Sequence, residues 1–247
     1  SGGAGLSFLL GPIIGVKTLA RVAAPRTSLR VGDRMKQALA PRPSTRLSTV
    51  RLDPAAAGDR GKPLGFSLDE AVDRVAATLT NLGLTRGFAP VVVVLGHGST
   101  SLNNPHESAH DCGACGGRRG GANARLFADM ANRPDVRAGL RTRGIDVPAD
   151  TWFVGALHDT ADDSLRYYDL EALPPALAPA FDVASTALDR ARQENARERC
   201  RRFDDAPLGL TPGAALAHVE ARLEARDEDV AVGAARVPTE EHAELRA

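Results

Sequence analysis

The chain has 247 residues, a length that suits one sizeable domain or one and a half. Lys plus Arg and Asp plus Glu number 31 each, so no global field draws the protein to nucleic acid or anionic lipid. Three cysteines, two of them in one loop, make no disulfide framework and point to a reducing compartment.

The first residue is Ser1, and Ala4–Val16 is an apolar run of about thirteen residues before Lys17. That is too short to span a hydrocarbon core about 30 Å thick. It also lacks the basic start and small-residue cleavage site of a signal peptide. A buried helix or an interface segment is expected there, and the chain is expected to be an internal piece of a longer protein. Residues 21–50 are rich in Arg, Pro, Ser and Thr, and Pro41 and Pro43 break any helix. Residues 1–60 therefore read as an apolar segment and flexible linker. Residues 61–205 read as an α/β core, and 206–247 as a helix and frayed tail.

Ser67-Leu68-Asp69-Glu70 has the form of a capping box, with Ala71, Val72, Val75, Ala76 and Leu79 at helical spacing behind it. A helix is predicted to about Leu82, stopping at Gly83. Pro90–Gly96 is a continuous β-branched run without polar alternation, so a strand covered on both faces is expected. Helices are predicted over Asn123–Asn132 and Pro134–Arg143. A second buried strand is predicted over Thr151–Leu157, ending in His158-Asp159-Thr160. Strand, loop, helix, strand implies a parallel crossover, with both polar clusters on one edge of the sheet, where open α/β sheets bind ligands. Tyr167–Leu170 reads as a short edge strand and Pro174–Arg202 as a long helix with a basic last turn. Thr211-Pro212 opens another helix. No internal repeat is evident.

Between the two strands lies GHGSTSLNNPHESAHDCGACGGRRGG, residues 96–121. This stretch holds three of the six histidines, two of the three cysteines and seven of the 24 glycines. It has too few apolar side chains to form core, and a polar loop after a buried strand is where α/β proteins keep their chemistry. Metal binding suits it. His97 sits at the strand's carboxyl end and Cys112 lies fifteen residues on, and Zn²⁺ readily takes imidazole and thiolate. Asp111, His106, Glu107 and His110 offer further donors, the two histidines as outer or surface groups. Cys115 has three readings: a third ligand, a redox partner of Cys112, or a small residue in a tight turn. Ser99, Ser101, Asn103 and Asn104 orient ligands, bind an anion or serve as turn residues. His158 and Asp159 read as a proton relay or an outer shell, with helix capping as Asp159's alternative.

This loop, with Asn123-Ala124-Arg125, Ala131-Asn132-Arg133-Pro134, Trp152–Thr160 and Tyr167-Tyr168-Asp169, closely resembles the DabA family of inorganic carbon transporter subunits. The resemblance runs from about Gly65 to Phe203. It implies a partial β-carbonic-anhydrase-like parallel sheet flanked by helices. It also implies a zinc ion held by two Cys, one His and one Asp. Two of these ligands come from an upstream Cys-x-Asp-x-Arg segment; the other two, carried over by motif, are His97 and Cys112. The implied work is uptake of CO₂ and its trapping as bicarbonate, driven by a cation gradient. The implied partner is a DabB-like membrane subunit, which would place the protein peripherally on the cytoplasmic face of the membrane.

The chain departs from this pattern. Its cysteines are Cys112, Cys115 and Cys200, so it contains no Cys-x-Asp-x-Arg segment. Half of the implied zinc shell and the Asp–Arg pair expected to act in catalysis are missing. Carbonic-anhydrase-like activity is therefore expected only in a full-length protein with its partner. Two alternatives stand beside this reading: a thiol protein using Cys112-x-x-Cys115, and a non-catalytic scaffold whose zinc staples the loop.

Overall fold

The computed structural model describes residues 47–51, 61, 63–99 and 117–221, with scattered positions between 15 and 39. The described residues form two compact units, one from those within 45–101 and 106–195, the other from the remainder. The apolar N-terminal run except its last two residues, the loop from 100 to 116 and the tail beyond 221 lie outside the described residues.

The larger unit opens with helix α1, Leu68–Asn81. Its capping box is complete: the Glu70 amide donates to Ser67 Oγ at 3.2 Å and the Ser67 amide donates to Glu70 Oε2 at 2.9 Å. Arg51 adds a bond to the same oxygen at 2.6 Å, tying the preceding segment to the helix start. The five apolar positions of the predicted stripe are all buried. Full burial of a Val or Leu side chain contributes about 1.5–3 kcal/mol, so Val72, Val75 and Leu79 anchor this helix. The turn at Leu82-Gly83 ends it where Gly83 takes a positive φ.

Strands β1 (Val91–Gly98) and β2 (Trp152–Asp159) pair in parallel, Val91 opposite Trp152 through Gly98 opposite Asp159. Helices α2 (Gly121–Asn132) and α3 (Pro134–Arg141) make the crossover. Strand β3 (Ser164–Tyr167) then pairs antiparallel to the carboxyl half of β2, giving the order β1-β2-β3. The sheet is thus mixed, which corrects the expectation of a purely parallel one. A four-residue turn, 160–163, joins β2 directly to its neighbour, a hairpin that parallel pairing forbids. The predicted edge strand exists but starts and ends earlier, and Asp169 instead takes a left-handed backbone ahead of a 3₁₀ turn.

Phe153 centres the core, with Phe88 and Phe127 edge-on at ring distances of 6.1 and 6.0 Å. Around it pack Val75, Leu79, Met130, Val136, Leu140, Ile145 and Val147. Gly155 lets α2 lie close against β2, because a methyl there would stand 2.7 Å from Arg125 Cα and 2.8 Å from the Ala124 carbonyl. The long helix α4 begins later than predicted, at Ala178, after 3₁₀ turns at 170–172 and 175–177, and runs to Cys200. Phe181 on it meets the Tyr167 ring edge-on at 5.0 Å.

In the smaller unit Ala196 and Cys200 are buried with Ala215 and Val219 of a helix over 212–221. The Cys200 thiol donates to the Ala215 carbonyl at 3.6 Å, a buried structural thiol.

Candidate functional site

The carboxyl ends of β1 and β2 set the candidate site. His97 and His158 are register partners in the parallel pair, so their side chains leave the same face of the sheet on neighbouring strands. His97 is exposed and has no partner among the described residues. His158 is partly buried, and its Nε2 lies 2.9 Å from Asp163 Oδ1. A carboxylate only accepts, so Nε2 carries the hydrogen and a neutral ring keeps Nδ1 as acceptor. Asp163 holds a left-handed backbone, φ 57°, at the hairpin corner, and Asn195 Nδ2 donates to its other oxygen at 2.7 Å. His158 is therefore held through Nε2 by a carboxylate that Asn195 anchors in turn, whereas among the described residues the His97 imidazole has no partner.

The strand tips are pinned by backbone. The amide and hydroxyl of Thr160 both donate to the Gly98 carbonyl, at 2.8 and 3.1 Å. Gly120, at the far end of the polar loop, donates its amide to the His97 carbonyl at 2.7 Å. Gly96 makes this return possible, since a Cβ on it would overlap the Gly120 carbonyl. The loop thus leaves and rejoins the sheet at one point, with His97 at its root.

Asp159 caps the turn after β2, its Oδ1 accepting from the Ala161 amide at 3.0 Å. Ser99 is partly buried and already engaged with neighbours. Asn103, Asn104, Asp111, Cys112 and Cys115 lie outside the described residues. Among the described residues no group of three or more His, Cys, Asp or Glu side chains is arranged to hold a metal ion. Among the described residues the His97 imidazole stands at a strand tip without a partner.

Sequence reasoning missed a second set of polar residues at the other end of β2. A cleft of about 380 Å³ opens there beside Trp152 and Phe153, walled by Arg125, Asp129, Tyr168 and Asp169. Arg125 forks onto Asp169, Nε to Oδ2 at 2.6 Å and Nη2 to Oδ1 at 2.5 Å. That bond to Asp169 raises the guanidinium above its ordinary value. Thr49 Oγ1 donates to Asp129 at 2.5 Å. These partners stand 44 and 80 residues apart, and no local spacing announces them.

No solved structure matches the chain. The family model described as "Probable inorganic carbon transporter subunit DabA" matches residues 2–231, further at both ends than the quoted motifs reach. A relative named probable inorganic carbon transporter subunit DabA 1, from Sorangium cellulosum, is 49% identical over 227 residues, 90% of this chain and 22% of its own length. The DabA of Methylococcus capsulatus is 46% identical over 215 residues, 87% of this chain and 20% of its own. That of Parafrankia sp. is 51% identical over 161 residues, 65% and 15% respectively. The chain spans about a fifth of the length of the curated relatives it matches.

Proposed function

The chain belongs to the DabA family, and from that premise we propose that it forms part of a zinc-dependent subunit for energy-coupled uptake of inorganic carbon. In this reading His97 and Cys112 hold one zinc ion together with ligands from elsewhere in the full-length polypeptide. The observation that carries it is the His97 imidazole, exposed and without a partner among the described residues, at the tip of β1 and the root of a loop whose two ends are bonded together.

A bound Zn²⁺ would lower the pKa of a water it holds to about 7, which suits hydration of CO₂ to bicarbonate at neutral pH. The chain's own residues hold the frame. Thr160 and Gly120 fix the peptide that carries His97. Asp163, itself bonded by Asn195, holds the His158 ring on the strand beside it. A DabB-like membrane subunit conducting cations is the proposed partner, and the cytoplasmic face of the membrane the proposed place of work. Among the described residues no helix is long and apolar enough to cross a membrane.

Metal analysis of the full-length protein tests the assignment. His97→Ala and Cys112→Ser should each lose most of the bound zinc, and full zinc in both variants would sink the reading. His158→Ala should weaken zinc binding by about 10–100-fold, the usual effect of removing an outer-shell partner. A thiol protein predicts the opposite pattern, with activity lost in Cys115→Ser while zinc stays. A stapled scaffold predicts zinc without CO₂ hydration in the presence of the partner.

A further inference from the structure

Among the described residues strand β1 closes one side of the sheet, since the strand order is β1-β2-β3. The bonds that bracket the parallel pair show which way its backbone faces. The Trp152 amide donates to the Pro90 carbonyl at 2.9 Å and the Thr160 amide to the Gly98 carbonyl at 2.8 Å. Successive residues of a strand present their N–H and C=O groups to opposite edges. Pro90, Val92, Val94, Gly96 and Gly98 therefore face β2, and Val91, Val93, Leu95 and His97 face outward. The outward set agrees with the one bond seen on that side, from Gly120 to the His97 carbonyl. Among the described residues the outward amides and carbonyls of Val91, Val93 and Leu95 have no partner.

Among the described residues this edge has none of the devices that keep a free edge soluble. Natural edges carry a charge, a Pro, a bulge or a covering element. Val91–Leu95 is five apolar residues, none of them charged. The side chains of Val92 and Val94 pack on the core, but Val91 and Val93 stay partly exposed on the other face and Leu95 is 45% exposed. Strands of this composition are ordinarily covered on both faces and paired on both edges. Among the described residues Val91–Val94 are only part-buried and Leu95 is exposed, so the second face of the strand is not fully covered by them.

We propose that the outer edge of β1, from Val91 to Leu95, docks a further β-strand from the same full-length DabA polypeptide. Three observations select that occupant. The curated relatives are about five times as long as the stretch they share with this chain, so intramolecular partners are abundant. The open edge is about five residues long, the ordinary length of a strand. Gly120 closes the edge at His97, which sets where the added strand must stop. The inference rests on the backbone alone and holds whether or not His97 binds metal.

Amide hydrogen exchange at single-residue resolution, on the full-length protein without its membrane partner, tests it. The outward amides of Val91, Val93 and Leu95 should exchange within about tenfold of the inward amides of Val92 and Val94, because both sets are then bonded in a ladder. Exchange of the outward three at the rate of open, solvent-facing amides overturns the proposal. Protection that vanishes on dilution to monomer also overturns it, since the occupant is then a second copy. Val93→Pro removes one outward donor without touching the β2 ladder. In that variant protection should be lost at Val91 and Leu95 and kept at Val154 and Ala156.

Discussion

Asn132 does the work of a missing strand. Its Nδ2 donates to the Phe153 carbonyl at 2.8 Å and its Oδ1 accepts from the Phe153 amide at 2.9 Å, on the β3-facing edge of β2 beyond the point where β3 ends. Arg137 secures that oxygen with Nη2 at 3.2 Å, and spends its remaining donors on the carbonyls of Ala131, Pro148 and Thr151 at 2.7–3.0 Å. Arg137 is 9% exposed, and burial pulls the guanidinium pKa below its ordinary value. Four oxygen acceptors take the place of a carboxylate. Asn132→Ala orphans both backbone groups of Phe153, and each buried orphan costs about 1–3 kcal/mol. The urea midpoint of Asn132→Ala should fall accordingly, and that of Arg137→Met should fall with it. An Asn132→Ala protein with an unchanged midpoint would show that water replaces the amide. The motif Ala131-Asn132-Arg133-Pro134 drew attention as a family mark, while its physical task is visible only with Phe153 in place.

At the level of elements, glycines decide how closely helix and sheet approach. Gly155→Ala places a methyl against the backbone of α2, which has no flexible end to move aside. Overpacking of this kind costs about 1–3 kcal/mol, and thermal melting should show it. Gly213→Ala is the control: nothing lies within 4 Å of its Cβ position. Near the start of a helix that change should be neutral or stabilising by up to about 0.5–1 kcal/mol. The first turns of α1 and α3 each hold a carboxylate below its ordinary range. Glu70 lies below its ordinary 4.5, chiefly through the Ser67 amide, and Asp135 lies below 3.8, chiefly through the Arg133 side chain. A carboxylate depressed in the folded state adds stability above its unfolded value, and that stability is lost as pH falls through the folded one. The melting temperature should therefore fall from pH 5 toward pH 3, less steeply in Glu70→Gln. An equal slope in that variant would remove Glu70 from the account.

For the whole molecule, the order of elements was legible because each carries a local signal. The capping box at Ser67, the valine run and the Trp152–Leu157 run placed α1, β1 and β2 within two residues of where they lie. Periodicity and capping act over a few residues, so the sequence alone states them. The family was legible for a related reason, a long contiguous motif in one loop. The parallel pairing of β1 with β2 followed from element order, whereas the antiparallel β3 did not, since a four-residue turn with Asp163 in a left-handed backbone carries no apolar pattern. Only the tertiary structure set His158 opposite His97, forked Arg125 onto Asp169, and left the outer edge of β1 unpaired among the described residues. Each of these depends on groups far apart along the chain meeting in space, where register and packing decide and local composition has no say.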